Sequence, residues 1–195
     1  MECSINLKLH YQRKVFSAQL ESKKQNAPGL SNEEIRRITL DKGGWSVLFY
    51  RAAMQHAFLP GEEAALYKMG GLMQFGNDVY DIYKDIQQGV HTLITTAVHI
   101  HEVRTQFREV MEESFDAVLS LGYRAGNTRK FLRLVSLSLC SRCFVFFDQL
   151  EKTEKISNGV FVPHKYSRQE LVCDMEKFSN KWKTLRYFMR DNKTP

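Results

Sequence analysis

Hydrophobic residues recur every three or four positions along most of this chain, with polar residues between them, which is the spacing of one face of an α-helix. Short segments containing Gly, Pro and Asn interrupt the pattern. We therefore predict helices over residues 5–24, 31–57, 60–88, 97–121, 128–152 and 167–190. No long window has the alternating pattern and β-branched composition of a strand, so the sequence predicts an all-α fold.

Two helix starts are marked by the same local signal. Ser31 and Glu34 stand three residues apart, as do Ser167 and Glu170, and each pair is typical of a capping box at a helix N-terminus. Gly89 suits the end of the helix predicted to finish near residue 88. These signals place helix boundaries independently of the hydrophobic pattern.

Length and composition limit the class of protein. A chain of 195 residues with 43% hydrophobic content can bury one core, so we expect residues 1–195 to form a single domain. No apolar run reaches the length of a transmembrane helix and the polar N-terminus lacks a signal-peptide core, so we expect no transmembrane segment and a cytoplasmic location. The net charge of +6 is scattered and no nucleic-acid motif is present, so we expect no nucleic-acid partner.

Cysteine and histidine pairs offer possible metal ligands. Cys140 and Cys143 are spaced like half of a zinc ribbon, but no second pair accompanies them. They lie in the most apolar predicted helix, where buried free thiols are common. His99 and His101 are two residues apart, so on a helix their rings would point in different directions. We therefore expect structural thiols and no histidine metal site.

A row of oxygen-bearing side chains lies in the helix predicted over residues 60–88. Asn77, Asp81 and Asp85 are spaced i, i+4 and i+8, so they stack along one face over two turns. Carboxylates one turn apart repel each other, and a bound divalent cation would reverse the sign of that interaction. The row is therefore either a Mg²⁺ site or an ordinary solvated acidic face.

The surroundings of the row indicate a mostly buried helix. The apolar flanking residues are Leu66, Met69, Leu72, Met73, Phe75, Val79, Tyr80, Ile82 and Tyr83. Gly70, Gly71 and Gly76 each cost a helix roughly 1 kcal/mol relative to Ala, so they indicate close approach by a neighbouring helix or a ligand.

Three motifs resemble those of a known superfamily. The string Gln74-x-x-Asn77-Asp78-x-x-Asp81-x-x-x-Asp85-x-x-x-Gly89 resembles the second metal-binding motif of class I isoprenoid synthases. The string combines features of three versions of this motif, those of the phytoene synthases, the terpene cyclases and the head-to-tail prenyl transferases of that superfamily. Asp41-Lys42-Gly43-Gly44 resembles the Lys-Thr-Gly of prenyl transferases, with Gly43 in place of Thr, and Arg186-Tyr187 resembles a late Arg-Tyr pair of terpene cyclases.

The resemblance implies an antiparallel helical bundle and a mechanism. Mg²⁺ would bind the diphosphate of a prenyl substrate and promote its ionisation, leaving an allylic cation in an apolar cavity for cyclisation or prenyl transfer. The implied metal ligands are Asn77, Asp81 and Asp85. The implied diphosphate ligands are Lys42, Lys84 and Arg51.

One family motif has no counterpart in this sequence. A first aspartate-rich motif normally precedes the Lys-Gly segment, yet residues 1–40 contain no Asp. The chain therefore resembles the C-terminal portion of the fold, incomplete at its N-terminus. Two functions stay open. One is an Mg²⁺-dependent isoprenoid synthase, or part of one, acting as a homodimer or with a complementing N-terminal subunit. The other is a non-catalytic helical protein that binds a partner or an isoprenoid. A missing portion predicts exposed apolar surface on this chain.

Overall fold

A computed structural model describes the backbone of residues 2–54 and 56–191 and the side chains of residues 6–54 and 56–190. Within these residues the protein is all-α, as predicted. The α-helices are α1 (Glu2–Ser22), α2 (Asn32–Ala53), α3 (Glu62–Tyr80), α4 (Ile82–Gln88), α5 (Ile100–Leu119), α6 (Ala125–Val135), α7 (Ser141–Ile156), α8 (Arg168–Leu171) and α9 (Phe178–Asp191). A π-helical turn, Ser136–Cys140, joins α6 to α7.

Both predicted capping boxes form. At the start of α2, the amide of Glu34 donates to Ser31 Oγ at 3.2 Å and the amide of Ser31 donates to Glu34 Oε2 at 2.8 Å. At the start of α8, the amide of Ser167 donates to Glu170 Oε2 at 2.7 Å. Local sequence therefore sets these two boundaries correctly.

The helix predicted over residues 167–190 is wrong in one respect, because it is broken between Leu171 and Phe178. Asp174 Oδ1 accepts a hydrogen bond from the amide of Glu176 at 3.0 Å, a local turn that competes with helical hydrogen bonding. The side-chain amide of Gln149, on α7, donates to carbonyl groups at the end of α8, including that of Val172 at 3.2 Å. Tertiary contacts therefore hold α8 as a single turn.

Four pairs of neighbouring helices in this bundle run antiparallel. Between α2 and α3, Arg51 meets Glu62 while Thr39 meets Asp78, so late residues of α2 lie beside early residues of α3. The same reversal holds for α1 with α2, for α3 with α5, and for α5 with α7. The bundle thereby brings the N-terminal part of α2 next to the C-terminal part of α3, where the acidic row lies.

Glycines form the crossing point of α2 and α3. A Cβ atom on Gly43 would lie 2.0 Å from the carbonyl oxygen of Gly70, and one on Gly70 would lie 2.4 Å from the carbonyl oxygen of Gly43. A Cβ atom on Gly71 would meet Leu40 at 2.6 Å. The expected close approach of a neighbouring helix is confirmed at Gly70 and Gly71: the backbone of Gly43 approaches Gly70, and the side chain of Leu40 approaches Gly71.

Aromatic side chains fill the centre of the bundle. Phe107 of α5 contacts Phe75 of α3 and Phe144 and Phe147 of α7 edge-on, with ring centroids 5.3 to 5.7 Å apart. All four are fully buried. This cluster joins α3, α5 and α7 into one core.

An arginine joins three helices at the edge of this core. Arg104 of α5 donates to Asp148 and Glu151 of α7, each at 3.0 Å, and to the hydroxyl of Tyr187 of α9 at 2.6 Å. Tyr187 in turn donates to Asp148 Oδ1 at 2.6 Å. Its neighbour Arg186 lines a cavity of about 240 Å³ against α9. Tyr187 therefore belongs to the packing of α9 on α5 and α7, whereas Arg186 is exposed.

The π-helical turn fits α7 against α3. Within the turn the amide of Ser141 donates to the carbonyl of Ser136, five residues back. The hydroxyl of Tyr80, on α3, donates to the carbonyl oxygen of Leu139 at 3.1 Å. The side chain of Leu139 also occupies the space that a Cβ atom on Gly76 would need. Sequence periodicity did not predict this turn.

Among the described residues, Cys140, Cys143 and Cys173 are buried thiols outside any disulfide bond, as expected of structural thiols, and burial raises the pKa of Cys143 to about 12. The side chain of Cys3 lies outside the described residues. In the part of the chain that the structure describes, no helix combines the length and apolar content needed to span a bilayer.

Candidate functional site

The acidic row crosses the joint between α3 and α4. Asp81 stands between Tyr80, the last residue of α3, and Ile82, the first of α4. The amide of Asp81 donates to the carbonyl of Asn77 at 2.8 Å, and the amide of Asp85 donates to the carbonyl of Asp81 at 2.9 Å. These bonds keep the three polar side chains one turn apart, so the predicted stacking survives the joint.

The carboxylates at the row differ in exposure. Asp81 is exposed and Asp85 is half-buried. Asp78, beside them, is buried: its Oδ2 accepts from the hydroxyl of Thr39 at 2.9 Å and its Oδ1 accepts from the side-chain amide of Gln74 at 2.8 Å. Asp78 therefore links α2 to α3, while Asp81 and Asp85 have oxygen atoms open to an outside ligand.

The fold disfavours the charged form of two carboxylates at and beside the row, Asp85 and Asp78. Partial burial, followed by the charges of Asp78 and Asp81, raises the pKa of Asp85 to about 6, against the opposing effect of Lys84 and Lys42. Burial also raises the pKa of Asp78 to about 6, although its two hydrogen bonds and Lys42 act in the opposite direction. The nearby lysines thus leave part of the negative charge uncompensated, and a cation bound here would stabilise the folded chain.

Two of the three predicted diphosphate ligands lie near the row. Lys84 Nζ is 3.6 Å from Asp81 Oδ2, and both side chains are more than half exposed, at 61% and 52%. Lys42 is half-buried on α2 and acts electrostatically on both Asp78 and Asp85. The Lys42 segment resembling Lys-Thr-Gly is continuous helix, and its two glycines are buried at the crossing with α3.

The structure does not bring Arg51 to the acidic row. Arg51 Nε is 2.6 Å from Oε1 of the buried Glu62, and its other nitrogens donate to the carbonyls of His56 and Ala57, both at 2.9 Å. Glu62 opens α3, nineteen residues before Asp81. At 1.5 Å per residue this is about 28 Å along the helix axis. Arg51 is therefore the counter-charge of a buried carboxylate and lies far from the row at which the resemblance implies a diphosphate.

The apolar side of the acidic helix faces a filled core. Phe75, Val79 and Ile82 have no exposed surface. The cavity of about 240 Å³ lies against α9, and a second, of about 370 Å³, lies along the first half of α2. Neither is the apolar chamber that the resemblance implies behind the row.

A second cluster of ligating side chains was not expected from the sequence. His99 precedes α5 with extended backbone, at φ −130° and ψ 124°, so its ring lies beside that of His101 with centroids 5.6 Å apart. The expectation that these rings diverge is wrong, because it assumed that both residues were helical. Glu154, near the end of α7, accepts from the amide of Ile100 at 3.1 Å, and its other oxygen is 3.1 Å from His99 Nδ1.

No family model matches the chain, and no curated protein or solved structure matches it significantly. Inference about function therefore depends on the residues themselves and their arrangement.

Proposed function

We propose that this chain binds Mg²⁺ and the diphosphate group of a prenyl substrate at Asn77, Asp81 and Asp85, as an isoprenoid-synthase-like protein. The observation that carries the proposal is the geometry of the row: Asp85 lies one turn from Asp81, and both carboxylates have oxygen atoms open to an outside ligand. Two carboxylates held at helical spacing with uncompensated charge favour a divalent cation over no ligand. Mg²⁺ commonly takes one or two carboxylates, several waters and a substrate phosphate as ligands. The row offers two carboxylates for such a set, those of Asp81 and Asp85.

The lysines have a role in the same proposal. A diphosphate carries more negative charge than one Mg²⁺ neutralises, and Lys84 and Lys42 approach the row from α4 and α2. Lysine suits this role because its ammonium group is a compact charge on a flexible stem. When the metal binds, Lys84 would leave its ion pair with Asp81 and pair with a phosphate oxygen. Breaking the ion pair costs little stability, because an exposed ion pair contributes only about 0–1 kcal/mol.

The test is thermal unfolding at about pH 7.5 with no ligand, Mg²⁺ alone, inorganic diphosphate alone, and both together. The variants are wild type, Asp81→Asn and the matched control Asp116→Asn, which changes an exposed acid on α5. At about a hundred times Kd, a ligand stabilises a fold by roughly 2.7 kcal/mol, which raises Tm by about 5–10 °C for this size. We expect a rise that needs both ligands, persists in Asp116→Asn and is lost in Asp81→Asn. No rise in wild type, or an equal rise in both variants, would reject the site.

A second candidate function is non-catalytic binding of a partner, and α9 carries the observation that favours it. Phe178, Trp182, Leu185 and Met189 follow one another at spacings of four, three and four residues and are 82%, 53%, 39% and 46% exposed. This spacing forms one apolar stripe of the kind that seats against another helix. Basic residues at 181, 183 and 186 lie beside the stripe, so an acidic partner helix fits it better than a second copy of α9 does.

Two measurements separate these candidates. Release of inorganic diphosphate from prenyl diphosphates of increasing length, dependent on Mg²⁺ and lost in Asp81→Asn, supports the synthase. Binding of the same compounds without release supports the non-catalytic protein. Light scattering across a concentration series then shows whether the chain self-associates through α9. If the chain forms a dimer that dissociates in Trp182→Gln, the partner of α9 is a second copy of this chain and not an acidic helix.

A further inference from the structure

We propose that His99, His101 and Glu154 form a zinc site between the start of α5 and the end of α7. One ligand atom from each side chain can be chosen so that all three lie within 4.8 Å of one another. Two imidazoles and one carboxylate, with water in the fourth position, form a known type of open tetrahedral zinc coordination. Imidazole nitrogen favours Zn²⁺ over Mg²⁺, which prefers oxygen ligands, so this site differs in metal from the acidic row.

The distances require only a small closure. His99 Nδ1 and Glu154 Oε1 are 3.1 Å apart, which is a hydrogen bond when no metal is present. Ligands about 2.1 Å from a tetrahedral zinc ion stand roughly 3.4 Å from each other. The pair is therefore already near the spacing of two zinc ligands. His101 completes the set by rotation of an exposed side chain.

The fold holds the carboxylate of Glu154, the buried ligand of the site, in a fixed position. Glu154 is 8% exposed, and its Oε2 is held by the amide of Ile100, the first residue of α5. Its Oε1 is thereby directed to His99, which the extended backbone before α5 holds in place. The carboxylate also offsets the positive N-terminal end of the α5 dipole, which would otherwise oppose a cation. A ligand held in this way loses little freedom when a metal binds.

A metal-free role explains only part of this arrangement. Capping of α5 and the hydrogen bond to His99 account for Glu154, but they do not involve His101. Among the residues that the structure describes, the His101 ring contacts the His99 ring and has no hydrogen-bond or ion-pair partner. Both rings reach solvent, His99 with 38% of its side chain exposed, so a metal ion has access and a water ligand has room.

Zinc at this position would connect two chain segments that are far apart in sequence. It would join the start of α5 to the last turn of α7, next to the loop in which the amide of Phe161 donates to the carbonyl of Val98 at 2.9 Å. The binding energy would therefore stabilise the folded state directly.

The experiment uses the whole chain after treatment with a chelator. Zn²⁺ affinity is measured by competition with a chromogenic zinc indicator, and Co²⁺ is added separately as a spectroscopic probe of tetrahedral geometry. The variants are His101→Ala, the matched control His164→Ala, which removes an exposed histidine from a turn, and Asp81→Asn. Circular dichroism confirms that each variant is folded, which the exposure of His101 favours.

We expect one Zn²⁺ per chain, visible Co²⁺ absorption of the tetrahedral type, and no competition by Mg²⁺. His101→Ala should weaken Zn²⁺ binding by at least about a hundredfold, since even changes behind a metal ligand commonly cost 10–100-fold. His164→Ala and Asp81→Asn should bind like wild type. Unchanged affinity in His101→Ala, or affinity lost equally in His164→Ala, would overturn the proposal. Asp81→Asn changes only the acidic row, so the proposal for one site can be rejected while the proposal for the other stands.

Discussion

Replacing Gly43 with Ala tests how closely α2 and α3 must approach. The added Cβ atom would lie 2.0 Å from the carbonyl oxygen of Gly70 and 2.7 Å from the Cβ atom of Gln74. Ordinary contacts begin near 3.4 Å, so the gap to Gly70 must widen by about 1.4 Å. The obstacle is helix backbone, so it cannot move aside as a flexible side chain would.

The expected cost follows from two opposing effects. Overpacking a close-packed site typically costs about 1–3 kcal/mol, and a clash with backbone belongs at the upper end of that range. Ala is the better helix former by about 1 kcal/mol, which offsets part of the loss. We therefore expect Gly43→Ala to lower the free energy of unfolding by about 2 kcal/mol, and Tm by roughly 4–8 °C.

Urea unfolding followed by circular dichroism measures the difference, and Gly126→Ala is the matched control. Gly126 lies in α6, and no atom beyond its own turn of helix lies within 4 Å of the position that its Cβ atom would take, so the same substitution there should be neutral or stabilising by up to about 1 kcal/mol. Equal effects of the two substitutions, or a Gly43→Ala variant as stable as wild type, would refute the packing account of the α2–α3 crossing.

Three further predictions concern charge and capping. The pKa of Asp85 is raised from its ordinary 3.8 to about 6 in the folded chain, so its contribution favours folding below about pH 4 and is lost as the pH rises through 6. Asp85→Asn should therefore raise the free energy of unfolding at pH 7.5 by at most about 3 kcal/mol. It should also reduce the change of the urea midpoint between about pH 4 and pH 6, and an unchanged pH profile would contradict this. Arg104→Met should lower the free energy of unfolding in urea by about 2–4 kcal/mol through the loss of its bonds to α7 and α9, and Lys152→Met, an exposed change on α7, should leave it unchanged. Ser31→Ala should cost about 1 kcal/mol by removing the cap of α2, and Ser31→Thr should recover most of it in the same assay.

The features that could be predicted from the sequence are those determined by neighbours along the chain. The capping box at Ser31 and the left-handed end of α4 at Gly89 depend on residues within one turn, and both form. The stacking of Asn77, Asp81 and Asp85 is also local, because i to i+4 hydrogen bonds determine it. Those bonds persist even where α3 gives way to α4.

The features that sequence reasoning missed depend on partners far away in the chain. Arg51 is held by Glu62 across the α2–α3 connection, and only folding reveals that this carboxylate is buried. The convergence of His99 and His101 depends on whether α5 begins at residue 97 or at Ile100, which is within the usual uncertainty of a helix boundary. Glu154, 55 residues from His99, could not have been associated with it from sequence spacing alone.

The π-helical turn between α6 and α7 determines which face of α7 is directed into the core. Buried positions on α6 follow steps of four and three residues from Thr128 through Leu132 to Val135, and the buried positions of the turn are Ser136 and Cys140. From Ser136 to Ser141 the backbone hydrogen bond spans five residues where an α-helix spans four, so the wide turn accommodates one extra residue. Each residue of an α-helix turns the chain by about 100°. Deleting Leu137 or Ser138 would therefore rotate the aromatic face of α7 out of the core, although both side chains are exposed and could be substituted freely. At this point the protein depends on the number of residues more than on their identity.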